Sequence, residues 1–275
     1  MRIGFVGSGS MAGAIARGAA HSEAIDSLMF SDTGSGRAAA LADELGGQSA
    51  TNERIAAECD IVVLAVKPYA IREVCIALAP TIAERGGVCV ASLAAGTPID
   101  TLSAALGDVP IVRVMPNVNA QIGQSMSALC ANKAASTTAA SFTTNGTYLD
   151  AVRALMNAVG TTLVIDEDKF AVFSALAGCS PAWVFQIIEA IARAGVKYGL
   201  SKSQATTIAA QAVAGSASLV LDRAEDGIVP AQLIDQVCSP GGTTIAGLLA
   251  SEEAGLSNAL VAAVDAAVQR DGELR

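Results

Sequence analysis

One histidine, His21, stands in 275 residues, and six cysteines are scattered with no Cys-x-x-Cys pair. A zinc site built on clustered His and Cys is therefore not expected, and no metal is assigned. Aromatic residues make up 4% of the chain and charged ones 16%, while alanine is abundant, a composition suited to closely packed helices. Positive charge is scarce too: the formal net charge is −9, which disfavours nucleic acid or an anionic membrane surface as partner. A small anionic ligand is not excluded, because a local pocket can oppose the global sign. Long unbroken apolar runs are also missing. The first twenty residues have the look of a short signal peptide, but Arg17 and a Gly-Ser-Gly-Ser break interrupt them. Ala205–Leu221 is apolar yet carries Gln211 and several hydroxyls, so it is expected as a buried helix, not a membrane span. Cys59, Cys75, Cys89, Cys130, Cys179 and Cys238 mostly fall in apolar stretches and read as small buried hydrophobes in a reducing cytoplasm.

What is present is a change of pattern along the chain. Short β-branched runs (Arg2–Val6, Leu28–Ser31, Asp60–Ala65, Gly87–Ser92, Ile111–Met115) alternate with helical stretches near Met11–Ala20, Gly36–Leu45, Ile71–Ala79 and Pro98–Leu106. Such alternation predicts a parallel sheet covered on both faces. The run "IVVLAV" is continuously apolar, as a strand buried on both sides should be. The polar stretch Asn132–Thr147 predicts a loop with helical parts, followed by a helix over Leu149–Ala158 and a strand over Thr161–Val164. Beyond Asp166 only helical spacing remains: Lys169–Leu176, Pro181–Lys197, Lys202–Asp222, Pro230–Val237, Thr244–Ala250 and Leu256–Gln269. The expected fold class is α/β, an N-terminal Rossmann-type doubly wound sheet (1–165) followed by an all-α dimerisation domain (166–275). Its alanine-rich, apolar helices imply burial all round, hence an interlocked dimer.

The segment "GFVGSGSMAGAI" follows the first strand and opens the first helix. Gly7 permits a tight turn, Gly9 lets the backbone approach a pyrophosphate, and Ala12 lets the helix pack on the sheet. The second strand ends in "SDTGSGR". Asp32 stands about where an acid would hold a ribose 2′-OH, while Ser31, Thr33 and Arg37, helped by Asn52, suit a 2′-phosphate. The two signals conflict; NADPH is the reading taken, with NADH as the alternative and a plain turn at Asp32 as the bland one. Lys67, in "AVKPYAI", follows the central strand at its carboxyl end, where ligands bind in open α/β sheets. It is therefore a candidate catalytic residue beside a nicotinamide ribose or carboxamide, with a solvated loop lysine as the bland reading. The segments "ASLAAGTPI" and "RVMPNVN" follow two further strands in the same way. Ala94, Ala95 and Gly96 leave room for a ring, and Asn117 has donors and an acceptor for a carboxamide or substrate. In the helical half, "CSPGGTTIAGL" breaks the pattern at Cys238–Leu248; composition alone would make it a glycine turn and an N-capped helix.

Taken in order, "GFVGSGSMA", "AVKP", "RVMPN", "AGCSPAWVF", "GVKYGL" and "SPGGTTIAGL" resemble the pyrroline-5-carboxylate reductase family over almost the full length. The resemblance implies reduction of L-1-pyrroline-5-carboxylate to L-proline by NAD(P)H, the last step of proline synthesis, in a protein that self-associates through its helical domain. It places the substrate loop on Ser239, Gly241, Gly242, Thr243 and Thr244, with the hydroxyl contact at Thr244. It places cofactor contacts on Ser8, Gly9, Ser10, Met11, Ser31, Asn52, Val66, Lys67, Pro68, Ala95 and Asn117. Departures are Asn119, where the family has proline, Gln124-Ser125, where a glycine is expected nearby, and Cys179 in place of serine.

A substrate with one carboxylate and one imine needs an anion site and a partner for nitrogen. The Pro-Gly-Gly turn, with the helix start behind it, supplies backbone N–H groups for the first, and Thr244 addresses the second. Two rivals stand beside this reading. β-Hydroxyacid dehydrogenases share the layout but use a lysine on the first long helix of the second domain, and no lysine lies between Lys169 and Lys197. A non-catalytic cofactor-binding protein would have no need of Lys67, Asn117, Ser239 and Thr244 together.

Overall fold

A computed structural model describes residues Met1–Glu273. Two compact units are present: Met1–Gly178, which also takes the described residues from Val268, and Cys179–Ala267. In the first, eight strands, β1 (Arg2–Val6), β2 (Ser27–Ser31), β3 (Gln48–Ser49), β4 (Ile61–Leu64), β5 (Cys89–Ser92), β6 (Ile111–Met115), β7 (Ser125–Ala131) and β8 (Gly160–Val164), form one sheet in the order β3-β2-β1-β4-β5-β6-β7-β8. Six of its pairings are parallel, and β6–β7 is antiparallel. The expectation of a wholly parallel sheet is corrected there. Only residues 116–124 separate β6 from β7, too few for a crossover that would return the chain in the same direction.

Helices α1 (Ser10–Ala19), α2 (Arg37–Leu45), α3 (Asn52–Glu58), α4 (Pro68–Arg85), α5 (Ile99–Leu106), α6 (Lys133–Thr137) and α7 (Tyr148–Asn157) connect the strands. Successive β4 side chains serve opposite layers: Ile61 and Val63 join Ile3, Phe5, Ile15 and Val152 on one face, and Val62 and Leu64 join Ile55, Leu78 and Leu102 on the other. That double burial is why the strand reads as a continuous apolar run. Phe5 and Phe30 stack with centroids 5.5 Å apart in the first layer. Helix α4 runs past Pro80, beyond the Ala79 end expected from the pattern, and buries Leu78 and Ile82 on the same face. Strand β7 and the short β3 and α3 were not expected. "SMSALCA" alternates small polar and apolar residues too weakly to mark a strand by itself.

The chain from Glu167 to Lys197 is helical throughout: a 3₁₀ turn (Glu167–Lys169), α8 (Phe170–Phe173), a π-helical turn (Ser174–Cys179) and α9 (Ser180–Lys197). Among the described residues it is the one helix long and apolar enough to cross a membrane by length and composition. In the second unit α10 (Lys202–Ala224) packs on α9, with Gly195 so close to Ala205 that an added Cβ would stand 2.9 Å from the alanine Cβ. Then come α11 (Pro230–Val237), α12 (Thr243–Glu253) and α13 (Leu256–Glu273). The burial expected of Ala205–Leu221 is not supplied by one chain. Within one chain only Ala205 and Ala209 of α10 are covered, and Ile208 and Leu221 are 57% and 74% exposed. A helix that is apolar all round and open in one chain is apolar for something outside that chain. Half of the cysteines, not most, are buried. These are Cys59, Cys75 and Cys89, and burial pushes the first two thiols up to about 12 and about 11; Cys130 and Cys238 are half-buried and Cys179 is exposed.

Candidate active site

The glycine turn after β1 is built to expose backbone. Gly7 has φ +98, and a Cβ there would stand 2.8 Å from the Ala65 carbonyl oxygen, so only glycine fits. Gly9 is the N-cap of α1 in extended conformation, with no side chain capping the helix and nothing within 4 Å of an added Cβ. The first turn of α1 is thus left without a side-chain cap and with open space at Gly9, the arrangement that takes a phosphate. Ser8 Oγ donates to Ser31 O at 2.9 Å and ties the turn to β2, while Ala12 is buried and Met11 packs against the core. A cleft of about 770 Å³ opens here, with Ser8, Gly9, Ser10 and Arg37 in its walls. Lys67, Pro68, Ala95 and Asn117 do not line it.

At the end of β2, Ser31 Oγ donates to Asn52 Oδ1 at 2.6 Å, which leaves the Asn52 amide nitrogen as a donor. Asp32 is occupied elsewhere. Its carboxylate accepts from Ala38 N, Gly34 N and Ser35 Oγ, each at 2.8 Å. The Ala38 N–H first, then the Ser35 hydroxyl, hold the acid down at about 2. Asp32 thus serves as an anion at the start of α2, and Arg37, exposed beside it, pairs with no carboxylate among the described residues.

The carboxyl-end loops carry the other expected positions. Lys67 is the exposed N-cap of α4, Val66 is half-buried, and Pro68 holds the first helical position. Ala95 is exposed beside Gly96 at φ +70. Asn117 differs from expectation. It is buried, its Nδ2 donates to Ala177 O at 3.0 Å, and its Oδ1 accepts from Asn119 N at 3.2 Å. Its side chain is engaged with protein on both amide atoms, which leaves one N–H and one lone pair of the amide uncommitted. Two departures from the family pattern have tasks here. Asn119 supplies an N–H that proline lacks, and Ser125 Oγ accepts from Asn117 N at 3.2 Å. Sequence reasoning missed Arg113, which is buried in β6. It donates to Glu167 Oε1 at 2.9 Å and lies 4.4 Å from the Phe170 ring centroid, while the same oxygen accepts from Ile99 N at 2.8 Å. A lone arginine inside the apolar run "IVRVM" was the available signal.

In the helical unit, Pro240 is followed by Gly241 at φ +68, and Gly242 N donates to Ser239 O at 3.0 Å, the pattern of a type II turn. Gly242 then caps α12 with no side-chain hydrogen bond, and a Cβ there would meet Ser239 Oγ at 2.4 Å. Thr243 and Thr244 open the helix, both exposed.

These features define a dinucleotide-dependent oxidoreductase with a Rossmann-type sheet and a separate helical unit. A family model described as NADP oxidoreductase, coenzyme F420-dependent, matches residues 2–96, and one described as pyrroline-5-carboxylate reductase dimerisation matches 167–274. The pyrroline-5-carboxylate reductase of Methanosarcina acetivorans is 36% identical over 99% of this chain and 97% of its own. The Coxiella burnetii reductase structure superposes with TM-score 0.87 at 30% identity over 99% and 97% of the two chains. The Plasmodium falciparum pyrroline carboxylate reductase, solved with NADP bound, gives 0.81 at 28% over 98% and 97%. The chain belongs to the pyrroline-5-carboxylate reductase family. It is an NAD(P)H-dependent reductase of pyrroline-5-carboxylate that yields proline, and it carries the family's self-association domain.

Proposed function

We propose that the preferred hydride donor is NADPH and that the reaction runs in the cytoplasm, with duties divided between the two units. The observation that carries the cofactor preference is the commitment of Asp32. With its carboxylate turned onto α2, the donors left around Ser31 are the Asn52 amide, the Arg37 guanidinium and the Thr33 hydroxyl, a set suited to a 2′-phosphate. The turn Gly7–Ala12, with Ser8, Gly9, Ser10 and Met11 presenting backbone, takes the pyrophosphate. Val66, Lys67, Pro68 and Ala95 orient the nicotinamide end, with the Lys67 ammonium on the ribose or carboxamide, and Asn117 supports that end.

Substrate duties fall to Ser239, Gly241, Gly242, Thr243 and Thr244. The bare N–H groups and positive end of α12 grip the carboxylate despite the net negative charge of the chain. Thr244 addresses the ring nitrogen, as donor or acceptor. When bound, the reduced nicotinamide supplies hydride to the imine carbon, which accepts it readily once the nitrogen is protonated. The chain needs only to align the two, and alignment supplies most of the acceleration. Self-association through the helical unit follows from its exposed apolar side chains, Phe185, Leu221, Leu249 and Val261 among them.

Following NADPH and NADH absorbance with pyrroline-5-carboxylate tests the reading. Oxidation of neither would end it. Arg37→Ala is expected to raise KM for NADPH about tenfold, the scale of one lost charge-assisted hydrogen bond, and to leave NADH unchanged. An equal effect on both cofactors would remove Arg37 from the phosphate site.

A further inference from the structure

The long helix changes register over Ser174–Cys179, where it winds as a π-helix before α geometry resumes at Ser180. The cause lies in the sequence. Pro181 has no N–H for the carbonyl four residues back, that of Ala177, and in α register its ring would clash with it. The Ala177 carbonyl instead accepts from Asn117 Nδ2. Gly178 belongs to the same contact, since a Cβ there would stand 3.2 Å from Met115 Cε. Asn117 is fixed on its other sides. Its N–H goes to Ser125 Oγ, which shares a hydrogen bond with Ser127 Oγ at 3.0 Å, and its Oδ1 takes the Asn119 N–H. That last bond sets the direction of the amide: with the oxygen committed, nitrogen faces Ala177.

A π turn is rare and concentrates at functional positions. This one sits against the carboxyl end of β6, the end of an open α/β sheet where ligands bind. We infer that Asn117 is a positioning residue for the reductase reaction, holding Ala177–Gly178 of the π turn as a wall of the crevice at the carboxyl end of β6. The inference rests on the reductase reading, and it replaces a direct amide contact to the cofactor with action through the π turn.

The test compares Asn117→Ala, Pro181→Ala and the double variant in the full-length protein. The readouts are kcat, KM, NADPH Kd, Tm and hydrogen exchange over residues 174–183. Asn117→Ala is expected to lower kcat/KM roughly 10- to 100-fold, on the scale of a lost buried hydrogen bond with its partner left behind. NADPH Kd should change less than about threefold, because the phosphate contacts lie elsewhere, and exchange over 174–183 should quicken. The double variant returns a helical donor to Ala177, so Tm recovers while kcat/KM stays low. Pro181→Ala alone should keep its Tm and lose kcat/KM, which keeps the inference testable if Asn117→Ala does not fold. Near-normal kcat/KM in either single variant overturns it. So does a tenfold or larger rise in Kd at intact kcat, which would make Asn117 a cofactor ligand, and so does activity that returns with Tm in the double variant. Exchange needs neither substrate nor cofactor and so separates the two claims. Unchanged exchange in Asn117→Ala overturns the positioning role, whereas a wild type inert toward pyrroline-5-carboxylate overturns the reductase reading.

Discussion

The starts of α1 and α12 are near copies of each other. Each is capped by a glycine in extended conformation, Gly9 at φ −76, ψ −178 and Gly242 at φ −81, ψ 173, and neither has a side-chain cap. Each cap follows a positive-φ glycine one or two residues earlier, Gly7 or Gly241. The difference is in which glycine is spatially obligatory. In the first turn Gly7 is jammed against the Ala65 carbonyl and Gly9 faces open space; in the second Gly241 is open and Gly242 sits on Ser239. The first turn is braced by the sheet and leaves its cap free for a ligand. The second belongs to a unit built of helices and braces itself on Ser239. One helix start can thus be held rigid by its neighbours or by its own turn, with the same bare N–H groups as the outcome.

The largest expected effect breaks the brace of the first turn. Gly7→Ala adds a Cβ at φ +98 and 2.8 Å from a backbone oxygen, which should cost about 3 kcal/mol and lower Tm by roughly 6–12 °C. A thermal melt that leaves Tm in place would refute the bracing account. Gly9→Ala tests the other half. Its Cβ meets no protein atom, so Tm should hold while NADPH Kd rises roughly 10- to 100-fold, because the methyl occupies space a pyrophosphate needs. In the helical unit, Thr244→Ala leaves the Gly242 cap intact and should lower kcat/KM roughly 10- to 100-fold, the scale of one buried hydrogen bond, without moving NADPH Kd. Unchanged kinetics in the folded variant would remove Thr244 from the mechanism.

The first turn was legible in the sequence and the second was not, for a physical reason. A Gly-x-Gly-x-x-Ala run after an apolar strand has one common structural solution, so Gly7, Gly9 and Ala12 could be read from pattern and place. A Pro-Gly-Gly-Thr-Thr run between helices is satisfied by any glycine turn, and only the family resemblance gave Gly241, Gly242 and Thr244 tasks. The strands β1 and β6 were legible to the residue because burial on both faces leaves short β-branched and apolar runs, broken only by Arg113 in β6 and preceded by the exposed Arg2 in β1. Strand β7 was not, because its side chains are small and partly polar. The bond from the Asn117 amide to Ala177 O was not legible, since that carbonyl lies 60 residues away in the sequence. The open flanks of α10 were legible only as a demand for cover: apolar periodicity pointed to an interlocked dimer without saying which side chains the second chain covers.

A third helix start gives the smallest and sharpest contrast. The start of α2 is not bare: the Asp32 carboxylate fills it, taking the Ala38 N–H at 2.8 Å. The folded protein holds that acid at about 2, below its ordinary value of 3.8, so folding favours the ionised form. The stability it contributes is therefore complete above about pH 5 and is lost as pH falls through 3.8 and about 2, below which the carboxylate is protonated in both states. The carboxylate is partly exposed, so solvent screening keeps this contribution small. Asp32→Asn should flatten that part of the pH–stability curve and change little at pH 7 beyond the weakened helix cap. Its NADPH Kd should stay near wild type, because a carboxylate already committed to α2 is not a ribose ligand. A variant with an unaltered acid limb would show that Asp32 does not cap α2 in solution. A large rise in Kd for NADH alone would return Asp32 to the ribose.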